Sequence, residues 1–211
     1  PPQTHHKFLN FEKQIHGAYP DAEVVEIDEY NIFTEDGKVA YKSLQLGKPN
    51  FYPLKTFKDL PTDSLSSLTS SLGKMGVGEA AAIQVLISPS ESDWQKSGGK
   101  FISETKKQES DPEKAKFSVP AKTLEAIENK ISKPGFEVSI RIVVVSPNEE
   151  VAKSHLTNIS GSFSQFAGDL NNLKGRKVHR KGGFMEDFLY RYHPMFNIFG
   201  NHTSILNTEE L

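Results

Sequence analysis

The sequence contains no cysteine, and this absence excludes disulfide bonds, thiolate metal sites and cysteine nucleophiles. No apolar run approaches the roughly 20 residues that a membrane-spanning helix needs, and no signal-peptide pattern opens the chain. Neither sign of charge prevails, because 25 lysines and arginines stand against 27 acidic residues. Only a local cluster could therefore identify a charged partner.

The ends of the sequence indicate a piece of a longer protein, since it starts at Pro1 and closes at Leu211 without a Gly or Pro stop signal. Its 211 residues suffice for one sizeable domain or for one and a half smaller ones. We predict a partial small α/β module over residues 1–58, an α+β domain over 59–183 and a helical connector over 184–211.

Apolar periodicity predicts the secondary structure. Helices are expected at 7–19, 62–72, 91–108, 120–131 and 147–167, and strands at 22–30, 38–46, 51–57, 80–88, 136–145 and about 170–179. The polar stretch 103–118 is typical of a solvated linker.

A helix–strand–helix pattern occurs twice. The apolar stripe of helix 62–72 recurs in helix 120–131, and each following strand ends in S-P-x-E, at Ser88 and again at Ser146. Serine, proline and glutamate at these offsets are typical of a helix N-cap. The pattern favours two related units, although two ordinary strand-to-helix junctions could also coincide by chance.

These elements predict an α+β fold in the form of a ferredoxin-like sandwich. Its antiparallel sheet would contain strands 51–57, 80–88, 136–145 and about 170–179. Helices 62–72 and 147–167 would cover the sheet, and helices 91–108 and 120–131 would be inserted between the two halves. A three-layer α/β sheet with parallel neighbours is the alternative.

The stretch Gly76–Ala81 matches the G-x-G-x-x-A spacing of dinucleotide-binding folds. Here, however, the glycines follow a helix and precede a strand, so they lie at the helix end that repels anions. Gly73 is better interpreted as a C-cap residue with positive φ. A phosphate loop is absent too, because Gly99-Lys100 lacks the rest of that motif. We therefore expect no bound cofactor.

No residue set predicts catalysis or a metal site. The seven histidines show no metal-ligand spacing, and His155 is expected to be a half-buried packing residue. Glu149 and Glu150 suit a helix start, and the pair Glu209-Glu210 is given no role. The chain is expected not to be an enzyme.

One dense basic cluster remains, and it comprises Lys174, Arg176, Lys177, Arg180 and Lys181. If extended, it would present several cations on one face and bind DNA or RNA phosphates. A solvated edge strand or a contact with another domain or subunit would explain the same charges. The aromatic stretch 184–200 that follows could stack on bases, but Phe184, Phe188 and Tyr192 at helical spacing favour core packing.

Four segments carry a resemblance to a known family: FYPLKTFKDLPTDSLSSLTSSLGKMGVGEAAAIQVLISPSESDW, ISKPGFEVSIRIVVVSPNEEVA, ISGSFSQF and SILNTEEL. They resemble, over roughly residues 7–211, a soluble region of the coupling-type ATPases of type IV secretion and conjugative DNA transfer in candidate-phyla bacteria. In that family the region lies between a membrane segment and a phosphate-loop ATPase, and ILNTEEL stands at the approach to the ATPase.

The resemblance implies a non-catalytic structural and assembly region, with nucleic-acid binding by the basic cluster as the alternative. Its partners would be the protein's own ATPase domain and neighbouring subunits, with DNA possible. It implies a cytoplasmic location at the inner face of a bacterial membrane, held through a segment outside these residues, so that these residues themselves do not contact the membrane.

Overall fold

The computed structural model describes residues 12–25, 27, 31–60, 63, 65–110, 119–176, 178, 180–193 and 204–211. The chain divides into two compact units, Pro1–Asn31 and Ile32–Leu211. In the first unit, residues 12–18 form helix α1. Residues 22–25 and 27 are not a strand, so the predicted strand over 22–30 is wrong there, while residues 7–11, 26 and 28–30 lie outside the described part. The alternating pattern alone does not make a strand, because its backbone groups need a partner ladder.

The second unit contains the sheet and its helices. In chain order they are β1 (Lys38–Leu46), a 3-10 helix (Phe57–Asp59), α2 (Ser66–Leu72), β2 (Ala80–Pro89), α3 (Asp93–Glu109), α4 (Ala121–Ile131), β3 (Gly135–Ser146), α5 (Glu149–Ser162), a second 3-10 helix (Phe163–Phe166), β4 (Leu173–Arg176), α6 (Lys181–Leu189) and β5 (Ser204–Asn207).

The sheet is antiparallel throughout, and its strand order is β2-β3-β1-β4. The twelve residues of β3 reach past β1, and their first part pairs with β5 on the same side. Helices α2 and α5 follow β1 and β3, and α3 and α4 are inserted between β2 and β3. The fold is α+β with the strand order of a ferredoxin-like sandwich, as predicted.

One face of the sheet forms the main core with α2 and α5. Alternate residues of β3, among them Ile140, Ile142 and Val144, pack with Leu156 and Ile159 of α5. All five are at most 8% exposed. Burying such a side chain stabilises the fold by about 1.5–3 kcal/mol, so this face is the main source of stability.

The other face is covered by α6. Phe184 and Phe188 pack on Val143 of β3, and Phe184 stacks on Tyr41 of β1. Beneath α6 lies Arg141, only 2% exposed. Its guanidinium donates to the Gln84 side chain at 2.9 Å, to the Asp187 carbonyl at 2.8 Å and to the Tyr192 carbonyl. Burial lowers the pKa of Arg141, which the nearby Asp187 carboxylate partly opposes.

The first strand of the sheet differs from the prediction. Segment 51–57 contains no strand, and β1 over Lys38–Leu46 takes its place beside β3. The backbone N–H of Leu54 donates instead to the Glu210 side chain, and Lys55 N–H to the Phe166 carbonyl. Strand 38–46 was itself predicted, but in the first module rather than in this sheet.

The predicted domain boundaries also lie elsewhere in the structure. The chain divides between residues 31 and 32 and not near 58, because β1 is an inner strand of the sheet. The boundary proposed at 183 falls inside α6, and the connector predicted over 184–211 contains β5, a strand of the same sheet.

The predicted S-P-x-E caps are wrong. Ser88 and Pro89 still pair with β3, and Ser146 still pairs with Lys38 of β1. Because the ladders extend the strands to these residues, the caps shift to Ser92 and Asn148. The Asn148 side chain accepts hydrogen bonds from the N–H groups of Glu150 and Val151, while Ser92 makes no side-chain cap bond.

Two smaller predictions are corrected as well. The solvated linker predicted over 103–118 is helical as far as Glu109, and residues 111–118 lie outside the described part. Gly73 is the C-cap residue of α2, as predicted, but its φ is −66°. The positive φ, 80°, is that of Gly78 in the turn before β2. Among the residues that the structure describes, no helix is long and apolar enough to cross a membrane.

Candidate functional site

The predicted basic cluster lies on strand β4 and the start of α6. Lys174 is opposite Gln45 of β1, and Arg176 is opposite Ser43. Directly opposed residues share a face, and Leu44 between them points to the α5 core. Lys174 and Arg176 therefore lie on the face that carries α6.

The remaining cations of the cluster are at the N-terminus of α6. Arg180 is its N-cap residue, and Lys181 begins the helix. The ammonium of Lys181 lies 6.0 Å from the centre of the Tyr41 ring. Lys174, Arg180 and Lys181 are exposed, whereas Arg176 is half-buried and burial lowers its pKa. Lys177 lies outside the described residues.

The aromatic stretch 184–200 divides into buried and exposed parts. Phe184 and Phe188 are buried, as predicted, but Tyr192 is 57% exposed. The helical spacing fails at Tyr192 because α6 ends at Leu189. Arg191 adopts a φ of 56°, and the N–H groups of Arg191 and Tyr192 turn back to the carbonyls of Phe188 and Asp187. This is the hydrogen-bond pattern of a Schellman C-cap. It places Tyr190 and Tyr192 at the surface, where their rings stack on each other. Residues 194–200 lie outside the described part.

The glycine-containing stretch before β2 is a turn. Residues 73–79 join α2 to β2 and contain Gly76 and Gly78, so the order is helix, glycines, strand, whereas a dinucleotide site needs strand, glycines, helix. Within it, Glu79 accepts hydrogen bonds from Gly76 N–H at 2.8 Å and from the Ser146 hydroxyl at 3.1 Å. The bond from Gly76 is the main reason that the pKa of Glu79 is lowered.

His155 of α5 has a partner that its position in the sequence does not show. Its Nε2 lies 3.0 Å from Glu79 Oε2, and both side chains are more than four-fifths buried. The Ser146 hydroxyl donates to Glu79 and not to His155, and Ser146 is only 1% exposed. We interpret the three residues as a polar junction that fixes the turn onto α5. The described residues contain no group of acidic residues and histidines that could hold a metal ion.

The most deeply buried charges belong to residues near the end of the chain. Lys130 of α4 and Glu210 form an ion pair of 2.9 Å, with side chains 0% and 1% exposed. The Glu210 carboxylate also accepts from the N–H groups of Leu54 and Asn207, at 2.7 and 3.0 Å. The Lys130 ammonium donates to the Tyr52 carbonyl. Burial lowers the pKa of Lys130, and the charge of Glu210 opposes that shift.

Glu209 makes a second pair of contacts beside this ion pair. Its carboxylate binds Lys133, in the turn after α4, through one oxygen and Lys58, at 2.9 Å, through the other. The hydrogen bonds from Lys133 and then Lys58 lower the pKa of Glu209 to about 2. We call Lys58, Lys130, Lys133, Glu209 and Glu210 the terminal anchor. Sequence reasoning gave Glu209 and Glu210 no role, because their partners are more than 70 residues away.

The terminal anchor borders a groove between α4 and the segment that follows Tyr52. Its lining includes Pro53, Ala126 and Asn129 in addition to the anchor residues. A neighbouring depression continues along α4 toward Gly168 and Asp169. Ion pairs and hydrogen bonds join the polar groups that border the groove to one another. These contacts hold the segment 207–211 in place.

A model of the family described as domain of unknown function (DUF8128) matches residues 2–172. The chain belongs to this family. No curated protein and no solved structure matches the chain. The DUF8128 match includes Lys58, Lys130 and Lys133, but it ends before β4 and before Glu209 and Glu210. The lysines of the terminal anchor thus lie within the DUF8128 match, and their acidic partners lie beyond it.

Proposed function

We propose that this region is a non-catalytic structural and assembly element of a membrane-associated ATPase of type IV secretion or conjugative DNA transfer. The observation that supports the proposal is the terminal anchor. Segment 204–211 is paired into the sheet through β5 and is held to α4 by a buried ion pair. In the family that the sequence resembles, ILNTEEL stands at the approach to the ATPase.

The proposed role follows from the rigidity of these contacts. Ser204, Ile205, Leu206 and Asn207 are all buried, and the carboxylates of Glu209 and Glu210 are each held by two or more hydrogen bonds. A motor domain that follows such a segment would be held in a defined position relative to the sheet. The partners would be that motor domain and neighbouring subunits, at the inner face of the membrane.

The first test is to read the coding sequence beyond residue 211. We expect it to encode a phosphate-loop ATPase, with a G-x-x-x-x-G-K-[ST] motif between a strand and a helix. A downstream sequence without that motif would overturn the proposal.

A second test uses the full-length protein. The double variant Lys58→Ala/Lys133→Ala removes both partners of Glu209 and leaves the buried Lys130–Glu210 pair in place. We expect the assembled fraction in sedimentation to fall while nucleotide affinity stays unchanged. The control is Lys96→Ala, which removes an exposed lysine paired with Asp93 on α3. Assembly equal to that of the control would contradict the role of the anchor.

The second candidate function is nucleic-acid binding by the basic cluster. The shared face of Lys174 and Arg176, with Arg180 and Lys181 exposed nearby, favours it. We expect micromolar binding of DNA that weakens with salt and is lost in the triple variant Arg176→Ala/Lys177→Ala/Arg180→Ala. Fluorescence anisotropy of a labelled oligonucleotide measures this, and Lys96→Ala is again the control. Absence of binding at about 50 mM salt would exclude this function.

A further inference from the structure

The two edges of the sheet are unlike. Strand β4 has only four residues, and two of them are Lys174 and Arg176. Short length and charged side chains are common ways of protecting an edge strand from pairing with another chain. Strand β2 has ten residues, AAAIQVLISP, and none of them is charged. In the part of the chain that the structure describes, β2 pairs with β3 and with no other strand.

Strand β2 also lacks a bulge that would twist its edge away. Its register with β3 runs without interruption from Ala80 opposite Val145 to Pro89 opposite Phe136. A long, regular and uncharged edge is a template for another strand. β2 therefore has the properties of a strand that is covered in the working protein.

The direction of the free backbone groups follows from the ladder. Ser90 N–H donates to the Gly135 carbonyl, one step beyond the register of β2 with β3. Hydrogen-bonded and non-hydrogen-bonded pairs alternate along an antiparallel ladder. Even-numbered residues of β2 therefore bond to β3, and odd-numbered residues turn their N–H and C=O groups outward. The outward row is Ala81, Ile83, Val85 and Ile87.

The row ends at Pro89, which has no N–H to offer. The side chains of the same four residues share the face that carries α5, since Ala81 and Ile83 pack against that core. Val85 and Ile87 are 46% and 51% exposed. An apolar rim thus runs beside the outward backbone groups.

We propose that this edge binds a second copy of the same chain, β2 against β2, about a two-fold axis. Antiparallel pairing centred on Gln84 puts Ile83 opposite Val85 of the second copy and Ala81 opposite Ile87. Each of these pairs exchanges two backbone hydrogen bonds. The contact is self-complementary, because every outward residue meets an outward, apolar residue, and no like charges meet.

The dimer contains one continuous antiparallel sheet with the α5 helices of both copies on the same face. The half-exposed Val85 and Ile87 gain apolar neighbours from the second copy. β-Branched residues opposite each other on one face stabilise a strand pair. The inference does not depend on the proposed link to an ATPase.

Sedimentation of the full 211-residue chain over a range of concentrations tests the proposal. We expect the wild-type chain to form a concentration-dependent dimer. Val85→Lys and Val85→Glu each place charges of like sign beside the two-fold axis and bury them, and we expect each to raise the dimer Kd at least tenfold. An equal mixture of the two variants brings opposite charges together, and we expect it to dimerise again.

The matched control is Val77→Lys, the same kind of change at a fully exposed residue just before β2. We expect it to dimerise as the wild type does. Thermal unfolding of each variant checks that Val85→Lys and Val85→Glu remain folded, as their half-exposed position predicts. A wild-type chain that stays monomeric throughout would overturn the proposal. A Val85→Lys variant that dimerises with the wild-type Kd would also overturn it. So would a Val77→Lys variant whose dimer Kd rises as much as that of Val85→Lys.

Discussion

The ion pair of Lys130 and Glu210 shows at the scale of single residues how a buried charge is tolerated. Two charges removed from water cost several kcal/mol each, unless each finds an opposite charge and further hydrogen bonds. Lys130 has Glu210 and the Tyr52 carbonyl, and Glu210 has two backbone N–H donors besides. The pair therefore fixes a unique position for segment 207–211 even where its net contribution to stability is small.

A double-mutant cycle tests this interpretation. Lys130→Met leaves the Glu210 carboxylate buried without its cation, and Glu210→Gln leaves the Lys130 ammonium without its anion. We expect each single change to lower the free energy of unfolding by about 3–5 kcal/mol. The double variant Lys130→Met/Glu210→Gln removes both charges and keeps an acceptor oxygen for Leu54, so it should be less destabilised than either. Urea unfolding measures the cycle, and Lys96→Met is the exposed control. If the double variant loses as much free energy of unfolding as the two single variants together, Lys130 and Glu210 are not coupled.

Glu209 makes the stability of the fold depend on pH. Its hydrogen bonds to Lys133 and Lys58 lower its pKa to about 2 from an ordinary value of 4.5. A carboxyl whose folded-state pKa is lowered contributes stability above its unfolded pKa and loses that contribution as pH falls through the folded value.

The expected signature is a difference between the wild type and Glu209→Gln. The wild type should be the more stable form above pH 5, by a constant margin. Below about pH 4.5 the margin should shrink, and it should vanish once the pH falls below the folded-state pKa of about 2. Unfolding by urea at a series of pH values measures it. A margin that does not change between pH 5 and pH 2 would show that Glu209 is not held as described.

At the scale of elements, the insertion of α3 and α4 depends on one of two adjacent glycines. A Cβ on Gly98 would lie 2.8 Å from Ile131 Cγ2 of α4 and 2.9 Å from Phe51 Cβ. A Cβ on Gly99 would meet nothing within 4 Å. Both glycines weaken the helix by intrinsic propensity, but only Gly98 allows α3 to approach α4 closely.

Alanine substitution should therefore have opposite effects at the two positions. We expect Gly99→Ala to raise the free energy of unfolding by about 1 kcal/mol, because helix propensity improves without a contact penalty. Gly98→Ala should lower it by roughly 1–3 kcal/mol, because the overpacking exceeds the gain in propensity. Thermal and urea unfolding of the two variants measure these changes. Effects of the same sign would contradict the account of this contact.

For the whole molecule, the end of the chain is part of the fold. β5 pairs with the beginning of β3, and Leu206 lies in the main core. Removal of residues 204–211 would also leave Lys130 buried without Glu210. We expect a chain ending at residue 203 to unfold at a much lower urea concentration than the intact chain.

The added change Lys130→Met should recover part of the lost stability. It removes the uncompensated charge, which accounts for about 3–5 kcal/mol of the lost free energy of unfolding. It cannot restore the burial of Leu206 or the pairing of β5. If the truncated chain is as stable as the intact one, segment 204–211 is not the anchor described here.

The sequence predicted those elements whose own residues carry the signal. The bounds of β1 and the buried face of β3 agree with their alternating apolar patterns, and α4 agrees with its apolar stripe. The fold class was predicted correctly from these elements, because an antiparallel sheet with helices between its strands can be connected in only a few topologies. The predicted caps at Ser88 and Ser146 failed, because pairing with other strands extends β2 and β3 to those serines.

The candidate site was only partly predictable, for the same reason. The basic cluster was visible because its cations are adjacent in the sequence. Nothing near Glu209 and Glu210 indicates that Lys58, Lys130 and Lys133 are their partners, and nothing near His155 points to Glu79.

The sequence alone determined the local preferences of this protein: which segments favour a helix or an extended backbone, and which of their faces are apolar. The tertiary structure decided which strands are neighbours, where helices begin, and which charges lie buried against each other. The physical reason is that periodicity and propensity act between residues a few positions apart. Burial of a lysine, or the pairing of a strand, depends on groups that only the folded chain brings together.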